Sequence, residues 1–403
     1  MEIIQTTDFL IIGGGVIGLC MALEVKKRRP SSHVTVIEKE EEFAFHASGR
    51  NSGVLHAGFY YTADSFKAKF TREGCKRWKK YCRSKDIKMN ECGKLVVARN
   101  PSEVDGLTEL YKRGKINGVE LYEISVNEAK KIEPRVKTHQ KALYSPTTTS
   151  VNPKEVITSL LEDAKKLGID LLTNTKYLKR SSKGIQTNKG FIEAQYIINS
   201  SGLYADKIAK DFGFSKNYKI IPFKGLYLYS VETAGSVKTN IYPVPNLNNP
   251  FLGVHYTLTV DGKIKIGPTA IPAFWREHYQ GLQRFNLNEF TEIMASESKL
   301  FLTNSFNFRN LALEEIKKYS RKKMVELASN LLEGVSISQY QKWGHPGIRA
   351  QLLDTKKNKL EMDFKYEGDS KSFHILNAVS PAFTCAFPFT EYLYNQIEVL
   401  IQG

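Results

Sequence analysis

The stretch HASGRNSGVLHAGFYY, residues 46–61, gathers His46, His56, Arg50, Asn51 and three glycines without a helical or strand period. Solvated loops are polar, yet rarely this rich in Gly, His and Arg together. Such a segment suits contact with a bound planar ring system. A further histidine, His255, stands in LGVHYT. Imidazole titrates near neutrality, so His56 and His255 are the two candidates for a base that removes a hydroxyl proton. A structural hydrogen bond to a backbone group is the competing reading for each. Arg349 in HPGIRAQLL and Lys224 in PFKGLY are the leading cations for holding a carboxylate, arginine by a bidentate grip. Arg276, Tyr256 and Tyr242 are candidates for a second anchor, each weighed against a surface or core-aromatic role.

A second group of residues predicts what the ring belongs to. Gly13-Gly14-Gly15-Val16-Ile17-Gly18 follows the apolar run FLII and opens a helical pattern. Gly13 permits the tight turn, Gly15 allows a pyrophosphate to approach, and Gly18 lets the helix pack closely on the sheet. The free N–H groups of that helix start suit phosphate. Glu38, followed by Lys39, ends the next strand at the spacing needed to bind an adenosine ribose with free hydroxyls. NAD and FAD both fit this unit. A rigid Gly/Ser/Arg/Asn segment just after the second strand favours FAD, whose flavin must be cradled along its edge. Ser48, Arg50, Asn51 and Ser52 would line it. Gly202 in NSSG is a second close approach of backbone to cofactor.

The elements that must position these groups read as an α/β fold. A strand at 9–12, a helix at 16–28 and a strand ending at Glu38 form the first unit. A long helix follows at 65–83, and Asn152-Pro153 caps and opens another. Residues 219–268 alternate as an antiparallel sheet, 286–332 are mostly helical, and a last helix starts at Pro381 with Ser380 as its cap. The helix start at Ser380 and Pro381 would lend positive charge to the flavin pyrimidine end. The expected domains are discontinuous: 1–90, 145–215 and 340–403 bind the cofactor, while 91–144 and 216–339 bind substrate.

The chain of 403 residues is 41% hydrophobic and 25% charged, with a formal charge of +16. That charge reads first as a lysine-biased surface attracting an anionic small molecule, and second as docking on an anionic membrane face, with EEIKKYSRKKMVEL the best segment. No nucleic-acid module accompanies it. The five cysteines show no metal-ligand pairing and read as reduced thiols. No signal peptide or membrane span is expected, which predicts a cytoplasmic protein, peripheral on the inner membrane face in the second reading.

The motifs SGRNSGVLHAGFYY, IYPVPNLNNPFLGVHYTLTVDG, IGPTAIPAF and NAVSPAFTCAFP closely resemble the L-2-hydroxyglutarate dehydrogenases and oxidases, within the D-amino-acid-oxidase-like FAD enzymes. The resemblance runs over nearly the whole chain. It implies a Rossmann-like FAD domain of the glutathione-reductase type and an inserted substrate domain on a large antiparallel sheet. The implied reaction is oxidation of L-2-hydroxyglutarate, a small dicarboxylic hydroxy acid, by hydride transfer to flavin N5, with electrons passing to a membrane quinone or to oxygen. FAD is expected to be noncovalent, with His46 a candidate linkage site otherwise. Oxidation of an amine, as in glycine, sarcosine or D-amino-acid oxidases, is the alternative, because one fold hosts several chemistries.

Overall fold

In a computed structural model that describes residues 2–246 and 251–402, the apolar run FLII ends the strand Ile3–Ile12, near the middle of an eight-stranded sheet. This strand pairs in parallel with Val34–Ile37 on one side and Phe191–Asn199 on the other. Asp170–Leu172 extends the sheet beyond Val34–Ile37, and Ser372–Asn377 runs parallel to the end of Phe191–Asn199. The hairpin Tyr177–Ser181 with Gly184–Thr187 and the edge strand Lys365–Gly368 add antiparallel pairs. A parallel sheet is covered on both faces, which is why every residue of FLII and VTVI is buried.

Helices Val16–Arg28, Phe66–Ser84, Pro153–Lys166 and Ala382–Gln402 bury one face of this sheet through Leu19, Phe70, Trp78, Leu160 and Phe389. On the opposite face Leu10, Ile12 and Ile37 pack on Ile208 of the short helix Ala205–Asp211. Four parallel strands end at Ile12, Ile37, Asn199 and Asn377. The glycine turn, Glu38, the Ser200–Gly202 turn and the segment leading to Pro381 follow those ends. In an open α/β sheet the carboxyl edge is where ligands bind.

A second eight-stranded sheet runs Tyr340–Trp343, Leu228–Ser230, Ile264–Gly267, His255–Leu258, Asn240–Pro243, Lys94–Val97, Lys141–Ser145, Tyr122–Ser125. All its pairs are antiparallel except Asn240–Pro243 with Lys94–Val97. One face carries Leu95, Leu228, Ile241, Tyr256 and Ile266 and packs on Met324, Val325 and Ala328 of the helix Arg321–Ser329. Strand side chains alternate between faces. The other face therefore presents Lys94, Val96, Tyr242, His255 and Lys265.

A four-stranded sheet joins Ile271–Pro272, Tyr218–Gly225, Gly347–Asp354 and Lys359–Leu360. The boundary expected at residue 340 is corrected by this pairing. Tyr340–Trp343 and Gly347–Asp354 bond to Leu228–Ser230 and Tyr218–Gly225, so 340–354 goes with the antiparallel sheets. The helical stretch expected at 286–332 consists of Leu287–Thr303, Phe308–Ile316 and Arg321–Ser329. Part of the motif IYPVPNLNNPFLGVHYTLTVDG, residues 247–250, lies outside the described residues. No described helix is long and apolar enough to cross a membrane. All five cysteines are free.

Candidate active site

A cavity of about 1380 Å³ follows the carboxyl edge of the first sheet and ends against the polar face of the second. Small-ligand sites usually occupy about 300–1,000 Å³, so this one has room for a dinucleotide and a substrate together. At its first end Gly13 and Gly15 line it, with Gly13 at φ 110° as the tight turn requires. Gly18 lies just beneath. A Cβ there would fall 2.0 Å from the Gly13 carbonyl, so its role is close packing rather than contact with the cavity. The helix Val16–Arg28 has no acid in its first turn and no side-chain cap on its N-terminal residue. Ser48 Oγ accepts from Val16 N at 2.9 Å, and Ser48 also lines the cavity. Glu38 is fixed by accepting from Gly14 N and Glu40 N, each at 3.0 Å, with its carboxylate at the cavity wall.

Residues 44–56 form the flank that the opening motif predicts. Arg50, Asn51 and Ser52 all line the cavity, but their side chains fold the loop itself. Arg50 donates to Phe45 O at 2.8 Å, Asn51 donates to Ser48 O at 2.7 Å and accepts from Gly53 N at 2.8 Å, and Ser52 accepts from Val54 N. The expected side-chain role is thus one of shaping the cradle. Gly202, at φ 55°, opens onto the cavity with nothing within 4 Å of where a Cβ would project. Ser380 and Pro381 also line it, but the helix begins at Ala382. The expected cap is therefore corrected: Pro381 precedes the first helical residue, and Ser380 lies one residue further back and is exposed.

Both candidate histidines reach the cavity. His255 Nδ1 lies 2.9 Å from the Gly253 carbonyl, which can only accept. This assigns the proton to Nδ1 and leaves Nε2 with a free lone pair. Burial, and the nearby positive charges of Lys94, Arg349 and Lys265, push its pKa down to about 3, against the Gly253 bond that raises it. His56 is buried beside it with Nδ1 unpartnered, and burial, Lys94 and His255 hold it well below the ordinary imidazole range. Tyr242 stacks on His255 with ring centroids 3.7 Å apart.

The cations divide. Arg349 lines the cavity, lies over the Phe251 ring at 5.4 Å and makes no ion pair among the described residues. Lys224 does not line it. Arg349 pairs across the strands with Phe223 and Lys224 with Ile348, so they occupy opposite faces and the expected joint role of Lys224 is corrected. Arg276 is also excluded: fully buried, it grips Asp206 at 2.7 and 2.9 Å. Tyr256 sits in the core under the helix face, while Tyr242 faces the cavity. Sequence reasoning missed Lys265, whose Nζ donates to Ser52 O at 3.2 Å, and Lys94, fully buried with its Nζ 4.3 Å from the Tyr242 ring centroid.

Near Glu38, a charge network bridges the cradle and the segment 277–284. Lys39 pairs with Glu40 and, at 2.6 Å, with Glu277; Arg284 contacts Glu40 and Glu277, each at 2.6 Å. His46 has both ring nitrogens engaged, with Tyr279 OH at 2.6 Å and Glu40 at 2.9 Å. Burial opposes ionisation of Glu40, but His46, Arg284 and Lys39 hold its carboxyl far below the ordinary range. The Glu40, His46 and Glu277 ligand atoms converge within 4.8 Å, and the positive charge among them is that of Lys39 and Arg284.

Residues 8–357 match the family model described as FAD dependent oxidoreductase. Relatives named L-2-hydroxyglutarate dehydrogenase include the mitochondrial protein of Nematostella vectensis, 36% identical across 94% of this chain and 87% of its own length. The human mitochondrial protein is 34% identical across 97% and 88%, and that of Escherichia coli K12 is 32% identical across 98% and 94%. The chain belongs to the L-2-hydroxyglutarate dehydrogenase family of FAD-dependent oxidoreductases. The solved L-alpha-glycerophosphate oxidase of Mycoplasma pneumoniae, with FAD bound, superposes with TM-score 0.76 at 22% identity over 100% of this chain and 96% of its own. Glycine oxidase of Geobacillus kaustophilus gives 0.73 at 20%, over 99% and 95%. These two establish the fold.

FAD is the cofactor of this family member, and the residues fit it. The acid-free helix start suits the pyrophosphate, Glu38 the ribose, and the open side of Gly202 the passage of the dinucleotide. The unpartnered His56 Nδ1 and Tyr60 hydroxyl lie where a bound partner would satisfy them.

Proposed function

We propose that this protein oxidises L-2-hydroxyglutarate to 2-oxoglutarate. The observation that carries the reading is the junction of the cavity with the second sheet. There two buried histidines, His255 with its Nδ1 on the Gly253 carbonyl and His56 with its Nδ1 unpartnered, meet a guanidinium with no ion pair among the described residues at the far end of a dinucleotide-sized channel. Buried cations without counter-charges are costly unless an anion joins them. A substrate dianion offsets that cost. In this reading Arg349 grips the C1 carboxylate, His255 Nε2 takes the proton of the C2 hydroxyl, and Tyr242 keeps the imidazole plane in register. His56 lines the same wall as the alternative proton acceptor. Bound noncovalently, FAD supplies the acceptor for the C2 hydride, so that loss of one proton and one hydride leaves the keto acid.

The electrons then pass to a quinone-type acceptor at an anionic membrane face in a cytoplasmic setting. Exposed Leu313, Ile316 and Tyr319 beside Lys317, Arg321 and Lys322 support this docking. Sedimentation with anionic but not neutral vesicles is the expected result, and binding to neither, or equal binding to both, would remove it.

Anaerobic mixing of the FAD-loaded protein with candidate substrates tests the main reading. L-2-hydroxyglutarate should bleach the flavin absorbance, and the D isomer should not. Bleaching by glycine, sarcosine or D-alanine instead would favour amine oxidation and overturn it.

A further inference from the structure

Lys94 begins the strand Lys94–Val97 on the cavity side of the second sheet and is 0% exposed. Its Nζ has no hydrogen-bond partner and no ion pair among the described residues. Aromatic faces surround it instead: Tyr242 at 4.3 Å, Tyr60 at 5.0 Å and Phe59 at 5.3 Å. Tyr242 in turn stacks on His255, which leaves Lys94 one ring behind the imidazole and outside the cavity lining. An ammonium placed this way loses water on all sides and recovers part of the cost from the ring faces. A hydrophobic residue of similar length would fill the same space at lower cost, so the charge calls for a function.

We infer that Lys94 is a positioning residue. It anchors the Tyr242–His255 stack from behind and sets a positive charge behind the two cavity histidines, opposing the imidazolium that a bound substrate carboxylate favours. The inference rests on the proposed hydroxy-acid oxidation. Groups facing this cluster are His56 and Tyr60 from the cradle segment, Tyr242 and His255 from the sheet, Cys75 from the helix Phe66–Ser84, Cys92 from the preceding turn, and Lys265 and Arg349 acting on His255. None is a carboxylate. Burial, the largest influence, pushes the Lys94 ammonium down to about 7, so it is charged below neutrality, the range in which a substrate carboxylate draws a proton towards a cavity histidine.

The test compares Lys94→Met and Lys94→Arg as holoenzymes of verified FAD content. Removing the charge should raise the acid limb of kcat by about one pH unit, as expected for a unit charge acting across an aromatic ring at an effective dielectric near 20. KM should stay within about twofold, and Lys94→Arg should restore the parental profile. Superimposable acid limbs in Lys94→Met and parent would overturn the inference, as would a Lys94→Arg profile displaced like that of Lys94→Met. A Lys94→Met chain that fails to fold leaves a second measurement on the parental holoenzyme. NMR of 13C-labelled lysines should find the Lys94 side chain, identified by its absence from Lys94→Arg, protonated at pH 5–6; a Lys94 neutral throughout that range would overturn it. A parental enzyme unbleached by L-2-hydroxyglutarate would defeat the substrate assignment alone, because the lysine titration is read without substrate.

Discussion

His255 should show two different acid limbs depending on whether substrate is bound. In the free site its pKa lies at about 3, low because burial and three cations disfavour the imidazolium. A carboxylate held about 5 Å away, at an effective dielectric of 20, favours the imidazolium by about 3 kcal/mol. That corresponds to roughly two pH units, which brings the bound-state value to roughly 5. The kcat/KM profile reports the free enzyme and kcat the complex, so the acid limb of kcat should lie roughly two units higher. Stopped-flow bleaching of the flavin after pH jumps to values from about 2.5 to 8 measures both. His255→Asn keeps a donor for the Gly253 carbonyl but removes the base. It should slow bleaching by about 10²- to 10⁴-fold while retaining FAD. Coincident acid limbs, together with a His255→Asn rate within about threefold of the parent, would refute His255 as the proton acceptor. A comparable loss in His56→Asn alone would move that role to His56.

Arg349→Met should lower kcat/KM by roughly 10- to 100-fold through loss of charge-assisted hydrogen bonds, with Arg349→Lys between the two; steady-state kinetics with FAD content checked decides it. Arg284→Ala should speed FAD release by roughly two- to fivefold, because it cuts the bridge to Glu40 and Glu277; flavin fluorescence after dilution reads the rate, and an unchanged rate would leave the bridge without a retaining role. Acid should destabilise the fold through its buried histidines. His255 at about 3 and His374 at about 4 stay neutral where the unfolded chain binds protons below about 6.5, so stability rises with pH between those limits. Each contributes a loss of up to about 1.4 kcal/mol per pH unit on acidification. Urea midpoints at pH 7, 6 and 5 check this, and a flat series would contradict it.

The first sheet was legible because its signals are local. FLII, the glycine spacing and Glu38 lie within one strand–helix–strand unit, and the helices at 16–28 and 153–166 carry their start signals in adjacent residues. That the segment 46–56 lines a cavity was legible from its composition. What stayed hidden depends on register and on which face of a strand is wet. KIKI around Lys265 alternates polar and apolar as a solvent-facing strand does, and only the fold turns its polar face towards a cavity. Lys94 in KLVV gives no sign of burial for the same reason. Lys224 and Arg349 looked equivalent until pairing put them on opposite faces. Ser380-Pro381 carries a helix-start signature, yet the helix begins one residue later. The ion network of residues 39–46 with 277–284 joins segments more than two hundred residues apart, beyond any motif.

The most direct measurement is a crystal structure of the FAD-loaded enzyme with 2-oxoglutarate. It should place one carboxylate on Arg349 and the keto oxygen within hydrogen-bond reach of a cavity histidine. The keto acid bound elsewhere, with Arg349 and both histidines facing only water, would contradict the account.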